Sequence, residues 1–259
     1  MNKIRTFYRY LKDFIKHGEY SMIFSAFLYF IFKVPALRTR LVKSSLGYFL
    51  SRKGTIDFQF ANYAYEWNVK RFFMENINDC NVFIDVGANI GTYCIMMAKN
   101  GLKCIGVEPV EDNYKAMRIN ILLNDLEDKI MHFNCALGKD HYFTDFVFNS
   151  VNTGASHLYH PPEKCKFKRK VVVKKMDELY PGMGLDKTDR ILMKVDVEGM
   201  ETEVFEGAKN FIKTFPNMLI VFESKHSDIE HIKKIFDNIA DFDYTRVDHF
   251  NMALKKIKS

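Results

Sequence analysis

Residues 82–93 read VFIDVGANIGTY: an apolar run ends in Asp85, and the chain then turns through two glycines. A short, continuous apolar run predicts a strand that is buried on both faces of a parallel sheet. Glycines after such a strand let a ligand approach the backbone N–H groups at the start of the next helix. This stretch therefore predicts a ligand site at the carboxyl end of a central strand.

The spacing of the glycines limits the type of ligand. Dinucleotide sites follow G-x-G-x-x-G, in which the middle glycine lets the pyrophosphate touch the backbone. Asn89 occupies that place in this chain, which argues against NAD or FAD, and no G-K-[ST] follows, which excludes a P-loop.

The rest of the chain alternates strands and helices around this stretch. Apolar and amphipathic runs predict further strands at 103–108, 129–137, 190–197 and 217–223, and helices at 63–77, 90–99, 111–125, 201–213 and 228–239. Segments 142–150 and 167–176 suit an antiparallel pair, and 243–257 suits a closing hairpin. Repeated β-α-β units predict an α/β fold with a doubly wound, mostly parallel sheet. We expect this domain to cover residues 56–259, after a basic, apolar helical extension at 1–55.

Two carboxylates at strand ends indicate the charge of the ligand. Asp85 brings negative charge to the turn, which suits a cation rather than a phosphate. Glu108 ends the second strand, where a carboxylate accepts hydrogen bonds from ribose hydroxyls. The alternatives are a helix N-cap for Asp85 and an ordinary strand-end carboxylate for Glu108. A ribose, a cation and no phosphate describe S-adenosylmethionine.

From about Val82 to Glu223, the chain resembles the FkbM family of S-adenosylmethionine-dependent methyltransferases. The resemblance is carried by FIDVGANIGTY, GVEP (106–109), INILLN (119–124), NCALG (134–138), LMKVDVEGMETEVFEGA (192–208) and IVFES (220–224). The block KVDVEGMETEVFEGA is close to the family's K-[IV]-D-[VI]-E-G-x-E pattern and is the most specific of these. Residues 1–60 lie outside the resemblance.

The resemblance implies a class I methyltransferase (Rossmann-like) sheet. It places the cofactor contacts at Asp85, Gly87, Asn89, Gly91, Glu108, Asn134 and Ala136, the last two near the adenine. Many family members methylate hydroxyl oxygens of sugars, polyketides or other small molecules, so the family alone does not identify the acceptor.

Asp196 and Glu198 are the first candidates for the chemistry. They lie at the end of the fourth predicted strand, and both can face the cleft once the chain turns at Gly199. Methyl transfer to an unactivated hydroxyl needs a base. A divalent cation held by this pair is not favoured, because two carboxylates supply too few of the ligands that such a cation needs. The alternative is that Asp196 only shapes the cofactor pocket and Glu198 caps the next helix. Glu223 and His226, after the fifth strand, are further acid–base candidates.

The polar stretch 148–162 interrupts the alternation of strands and helices, and we expect it to form a loop that covers the cleft. Its candidates for acceptor recognition are Asn152, Ser156, His157 and His160. A plain hairpin turn with exposed histidines is the alternative. Lys194 is expected in a local ion pair. Before the first strand, Tyr65, Glu66 and Trp67 lie where such folds often close over the cofactor, although a lone tryptophan is more often core.

Residues 1–55 carry eleven Lys or Arg and two acidic residues, a charge of +9 that leaves −3 for the rest of the chain. An amphipathic helix is predicted first, and SMIFSAFLYFIF (21–32) follows without a charge. Twelve residues are too few to cross a bilayer, which takes about 20, and the segment does not resemble a secretory signal. Residues 1–34 either contact an anionic membrane surface or form a cap on the body or a second subunit. Nucleic acid is not expected as a partner.

These observations predict a methyltransferase that O-methylates a hydroxyl of a glycan, lipid-linked sugar or small metabolite. Five scattered cysteines without a C-x-x-C pair favour reduced thiols and a cytoplasmic location, at the inner face of a membrane if the extension binds lipid. The alternatives are N-methylation, and a non-catalytic S-adenosylmethionine-binding module recruited by its extension. The lysine-rich segment 164–175 suits either an anionic partner or a solvated sheet edge.

Overall fold

The computed structural model describes residues 3–147, 149, 151–155, 157–158, 168–225 and 227–257. The α-helices of this part are α1 (Lys3–Lys16), α2 (Tyr20–Phe32), α3 (Asp57–Phe60), α4 (Trp67–Asn76), α5 (Thr92–Lys99), α6 (Glu111–Leu122), α7 (Met176–Leu179), α8 (Glu201–Glu206), α9 (Lys209–Thr214) and α10 (Ile229–Asp237). The strands are β1 (Arg40–Ser44), β2 (Gly47–Ser51), β3 (Val82–Val86), β4 (Lys103–Val107), β5 (Ile130–Phe133), β6 (Ala136–Leu137), β7 (Tyr142–Val147), β8 (His157–Leu158), β9 (Lys168–Lys174), β10 (Arg190–Val195), β11 (Asn217–Glu223), β12 (Phe242–Arg246) and β13 (Asn251–Lys256).

The central sheet has seven strands in the order β12-β13-β11-β10-β3-β4-β5. The strands from β11 to β5 are parallel, and β13 runs antiparallel to both of its neighbours. The chain starts in the middle with β3, moves outward to β5, and returns to β10 on the other side of β3. This confirms the predicted doubly wound, mostly parallel sheet with a closing antiparallel hairpin.

Alternate residues of β3 point to opposite faces of the sheet. Val82, Ile84 and Val86 pack in the core that also contains residues of α8, α9 and α10, whereas Phe83 packs in the core with α4 and α5. Asp85 lies on the Phe83 side by the same alternation, and Lys194 is its register partner on β10. The period of the strands therefore places a carboxylate and an ammonium group side by side.

Three predicted elements differ from the structure. The strand expected at 129–137 is broken, because β6 leaves the central sheet and pairs with β9 in a second sheet, β6-β9-β7-β8. The helix expected at 201–213 divides at Gly207, where an added Cβ would lie 2.0 Å from the carbonyl oxygen of Gly138. The helix expected at 63–77 begins only at Trp67, since Glu66 has a left-handed backbone with φ 48°.

The N-terminal extension is not wholly helical, because β1 and β2 form an antiparallel hairpin after α2. Phe14, Met22 and Phe49 are fully buried in the same core as Phe83. The extension therefore packs on the sheet through apolar contacts. Among the described helices, none is long and apolar enough to cross a membrane.

Candidate active-site cleft

A cavity of about 1040 Å³, measured with its open mouth, lies where β3, β4 and β10 end. The strand order reverses between β3 and β10, which is where open α/β sheets bind ligands. Of the residues proposed from the sequence, the wall contains Asp85, Gly87, Asn89, Glu108, Ala136, Asp196, Glu198 and Glu223.

The turn after β3 is held against both neighbouring strands. Gly87 has φ +87°, and a Cβ there would lie 1.9 Å from the carbonyl oxygen of Asp196, so only glycine fits. Asn89 adopts a left-handed backbone with φ 49°, which asparagine tolerates better than most residues. Its backbone N–H donates to Oε2 of Glu108 at 2.8 Å, and its side-chain oxygen accepts a hydrogen bond from Thr153. These contacts fix the shape of the turn.

Asp85 is buried and incompletely paired. It is 1% exposed, and its Oδ1 has no hydrogen-bond partner among the described residues. Its Oδ2 accepts only a weak contact from the Cys94 thiol at 3.8 Å. Burial raises the pKa of Asp85 to about 7; Lys194 opposes this shift, and Asp196 adds to it. An orphaned carboxylate oxygen in the wall of a cavity suits a cationic ligand group.

Glu108 ends β4 beside this turn, and it is also buried. Its two oxygens accept hydrogen bonds from the backbone N–H groups of Asn89 and Val110, both at 2.8 Å. Burial raises the pKa of Glu108 to about 7, against these two bonds. Each carboxylate oxygen has a second lone pair, so Glu108 can still accept hydrogen bonds from ligand hydroxyls.

Two residues expected at the cofactor have other contacts. Gly91 begins α5 with φ +82°, and a Cβ there would lie 2.7 Å from Met117. Asn134 donates to the backbone oxygens of Glu108 and Pro109, at 2.8 and 3.1 Å. Neither belongs to the cavity wall, so both act on the shape of the site rather than on its surface.

Two buried lysines stand in the wall. Lys194 donates to Oδ2 of Asp196 at 2.6 Å and lies 4.0 Å from Glu66, which agrees with the expected ion pair. Burial opposes its charge, but Asp196, Glu66 and Asp85 outweigh burial and raise its pKa. Lys70 is fully buried and donates to the backbone oxygen of Tyr65. Burial lowers its pKa to about 7.

Lys70 was not found from the sequence. It follows Glu66 by four residues on a predicted helix, a spacing that usually indicates an exposed ion pair. In the structure its ammonium lies 5.0 Å from the ring centroid of Tyr93, whose hydroxyl donates to Glu66 at 2.6 Å. Tyr65 and Glu66 line the cavity, whereas Trp67 packs against Tyr63 outside it.

Asp196, Glu198 and Glu223 form a cluster of carboxylates in which one oxygen of each lies within 4.8 Å of the others. Glu223 brings a third oxygen donor to the pair considered from the sequence, and such oxygens are the ligands of divalent cations. Its Oε2 is buried without a hydrogen-bond partner in the described part of the chain. Burial raises the pKa of Glu223 to about 8, and Asp196 and Glu198 add to the shift. The cluster can accept a proton near neutral pH.

The polar stretch is only partly described. Within it, the described residues do not include Ser156 and His160, and of His157 only the backbone is described, as part of β8. His226, which follows β11, also lies outside the described residues. The backbone N–H of Asn152 donates to Asn149, and the following Thr153 and Gly154 line the cavity.

The sequence profile of the Methyltransferase FkbM domain matches residues 85–247. Methyltransferase sdnD of Sordaria araneosa is 28% identical over 155 residues, which are 48% of this chain and 59% of sdnD. The chain thus spans less than two thirds of that relative. The profile match and the strand order agree with the class I methyltransferase sheet expected from the sequence.

Solved structures with a similar fold include the N-terminal domain of human METTL16 in complex with SAH. The two chains are 14% identical, the match covers 73% of this chain and 66% of that chain, and the TM-score is 0.42. A tRNA m1G37 methyltransferase of M. jannaschii is 12% identical; the match covers 85% of this chain and 57% of that chain, with a TM-score of 0.44. A putative rRNA methylase of Clostridium thermocellum is 5% identical; the match covers 74% of this chain and 97% of that chain, with a TM-score of 0.45.

Proposed function

Because the chain belongs to the FkbM methyltransferase family, we propose that it binds S-adenosylmethionine in this cleft and methylates a hydroxyl oxygen of a glycan, lipid-linked sugar or small metabolite. The observation that carries the proposal is Oδ1 of Asp85, which has no hydrogen-bond partner in the described part of the chain and shares one cavity with Glu108. The first suits an ammonium group and the second suits a ribose, at the ends of adjacent strands.

The residues present fit this cofactor. Asp85 would hold the amino group of the methionine part, since its buried oxygen lacks a partner in the described chain. Glu108 would accept hydrogen bonds from the ribose hydroxyls. Gly87 lets the turn lie directly against the backbone of Asp196, because no Cβ stands between them. Bound S-adenosylmethionine supplies a methyl group on a positively charged sulfur.

The carboxylate cluster is the proposed proton acceptor. Methyl transfer would form a bond from the methyl carbon to the acceptor oxygen while the bond from that carbon to sulfur breaks, which would leave S-adenosylhomocysteine. The hydroxyl proton would go to a carboxylate within hydrogen-bond reach. Oδ2 of Asp196 already accepts a hydrogen bond from Lys194 at 2.6 Å. Burial raises the pKa of Glu223 to about 8, so its carboxylate can take up a proton near neutral pH. We therefore assign the proton to Glu223 and the positioning of the acceptor hydroxyl to Asp196 and Glu198.

The charge of the wall supports a neutral acceptor. Among the described residues of the wall, carboxyl groups outnumber ammonium groups: the acidic residues are Glu66, Asp85, Glu108, Asp196, Glu198 and Glu223, and the basic ones are Lys70 and Lys194. Such a wall disfavours phosphate groups near the reacting centre. It suits an acceptor rich in hydroxyls, which donate hydrogen bonds to carboxylates.

Calorimetric titration with S-adenosylmethionine, S-adenosylhomocysteine and NAD tests the cofactor. We expect binding of the two adenosyl compounds, and loss of that binding in Asp85→Ala and Glu108→Ala. Glu111→Ala, an exposed carboxylate on α6, is the matched control and should bind normally. No binding of either adenosyl compound by the intact protein would refute the cofactor.

Transfer of a labelled methyl group to a panel of sugars and glycolipids then tests the reaction. Label in an alkali-stable methyl ether would support O-methylation. Label on nitrogen would replace it with N-methylation, and cofactor binding without transfer to any acceptor class would favour the non-catalytic module.

A further inference from the structure

Helix α2 exposes an apolar face that the rest of the described chain does not cover. Tyr20, Phe24, Phe27 and Ile31 follow each other at helical spacing and are 67, 58, 47 and 51% exposed. The opposite side of the helix packs inward, where Met22 is fully buried. The thirteen residues of α2 contain no charge.

The apolar surface continues beyond this helix face. Phe30, Phe32, Leu37 and Leu41 are also exposed, and most of the large apolar side chains that are exposed in the described residues lie between positions 8 and 48. Exposed apolar side chains that are concentrated in one part of a protein mark sites of protein or membrane contact.

The exposed charges around this surface are positive. Lys16 and Lys43 lie near the start of α2, and Lys33 and Arg38 follow its end; all four are exposed. The two acidic residues of the extension are engaged internally. Asp13 accepts hydrogen bonds from the backbone N–H and the hydroxyl of Ser45, and Glu19 accepts one from the backbone N–H of Lys43.

We propose that the extension binds the surface of an anionic lipid bilayer, with α2 lying in the plane of the interface. Phe24, Phe27 and Ile31 enter the boundary between headgroups and acyl chains, and the surrounding Lys and Arg contact the anionic headgroups. At 1.5 Å per residue α2 is about 20 Å long, which is shorter than the roughly 30 Å of hydrocarbon that a spanning helix must cross.

Charge decides between a bilayer and a second copy of the chain. A symmetric dimer through α2 would bring the same cationic margins of two subunits together, and like charges at an interface cost several kcal/mol. An anionic bilayer pairs with those margins instead. This proposal does not depend on methyl transfer, and the experiments that test the two proposals are independent of each other.

The test uses the full chain, because Phe14 and Phe49 of the extension belong to the core and deleting it would damage the fold. Flotation with phosphatidylcholine vesicles, with and without phosphatidylglycerol, measures the partition coefficient. We expect binding to the anionic vesicles only. The triple variant Phe24→Ser, Phe27→Ser, Ile31→Ser should lose at least about 100-fold in partitioning.

Two further variants make the test specific. Lys16→Gln with Arg38→Gln should weaken binding to anionic vesicles about 30-fold, since each cation near the surface contributes about a factor of five. Phe143→Ser removes an exposed phenylalanine of β7 outside the extension and should bind as the unmodified protein does. Thermal unfolding checks that each variant is folded.

Three results would overturn the proposal. The first is that the intact protein does not bind anionic vesicles at low salt. The second is equal binding to neutral and anionic vesicles, which would remove the role of the lysines and arginines. The third is a stable dimer without lipid, measured by light scattering, that the triple variant dissociates while vesicle binding stays absent.

Discussion

Replacing Asp85 by asparagine should stabilise the protein at neutral pH and abolish cofactor binding. The carboxyl group is buried, and burial raises its pKa from 3.8 to about 7. In the unfolded chain it ionises near pH 4, whereas in the folded protein it stays protonated until about pH 7. The unfolded state is therefore favoured increasingly as pH rises through this window, and the free energy of unfolding falls.

The size of the effect follows from the two pKa values. Each pH unit between them is worth about 1.4 kcal/mol. Asp85 therefore lowers the free energy of unfolding by up to about 4 kcal/mol above pH 7, where it is ionised in both states, and by about 2 kcal/mol at pH 5, where it is protonated only in the folded state. Asparagine does not ionise and avoids this cost. The gain is smaller than the full amount, because Lys194 loses one nearby counter-charge. We expect a gain of about 2–3 kcal/mol at pH 8 and about 1 kcal/mol at pH 5.

Urea unfolding of the ligand-free protein at both pH values measures this gain, and calorimetry measures the loss of cofactor binding. Asp57→Asn is the matched control, since Asp57 is equally buried but is paired with Arg52 at 2.6 Å. That substitution should destabilise the protein by about 3 kcal/mol or more. If Asp85→Asn destabilised the protein in the same way at pH 8, Asp85 would be a structural partner of Lys194, and the argument for an unpaired carboxylate that awaits a cation would be refuted.

Three further predictions concern the same cleft. Gly87→Ala should lower the free energy of unfolding in urea by more than about 2 kcal/mol, because its Cβ meets the carbonyl oxygen of Asp196. Gly54 also has a positive φ, +81°, but no described residue lies within 4 Å of an added Cβ, so Gly54→Ala should show only the backbone strain of about 1 kcal/mol. Equal losses would disprove the clash at Gly87. Affinity for S-adenosylmethionine should fall about tenfold per pH unit below pH 7, where Asp85 is protonated, and a flat calorimetric profile would place the ammonium elsewhere. The turnover number should rise with pH up to about 8 as Glu223 ionises; Glu223→Gln should remove this rise, and an unchanged profile would exclude Glu223 as the base.

The central strands could be predicted closely from the sequence. β11 begins and ends at the expected residues, because the apolar run 218–222 lies between Asn217 and Glu223. The helix expected at 201–213 could not be predicted as two pieces, since its break depends on the approach of Gly138, which is distant in the sequence. The local sequence pattern thus predicts an element correctly where the burial of its own residues determines its ends. It fails where a contact with a residue distant in the sequence determines them.

The same distinction applies to the cleft. Asp85, Glu108 and Asp196 were expected near one another because parallel strands end at one edge of the sheet, and the structure brings all three to one cavity. Lys70 was missed because its burial depends on the ring of Tyr93, which comes from another helix. Spacing along the chain carries no sign of that contact.

The backbone of the cleft departs from ordinary preferences in a way that argues for a ligand. Five described residues other than glycine have a positive φ; Lys33 and Asp125 lie beside the ends of helices, where this conformation is common, whereas Glu66, Asn89 and Glu198 all stand in the cavity wall. Such positions cost about 1–3 kcal/mol each and persist mainly where function requires them. Asp85, whose buried Oδ1 finds no hydrogen-bond partner among the residues that the structure describes, lies in the same wall. A ligand that brings positive charge to this oxygen would offset part of that instability, so binding and folding stability should be linked most strongly at this one place in the molecule.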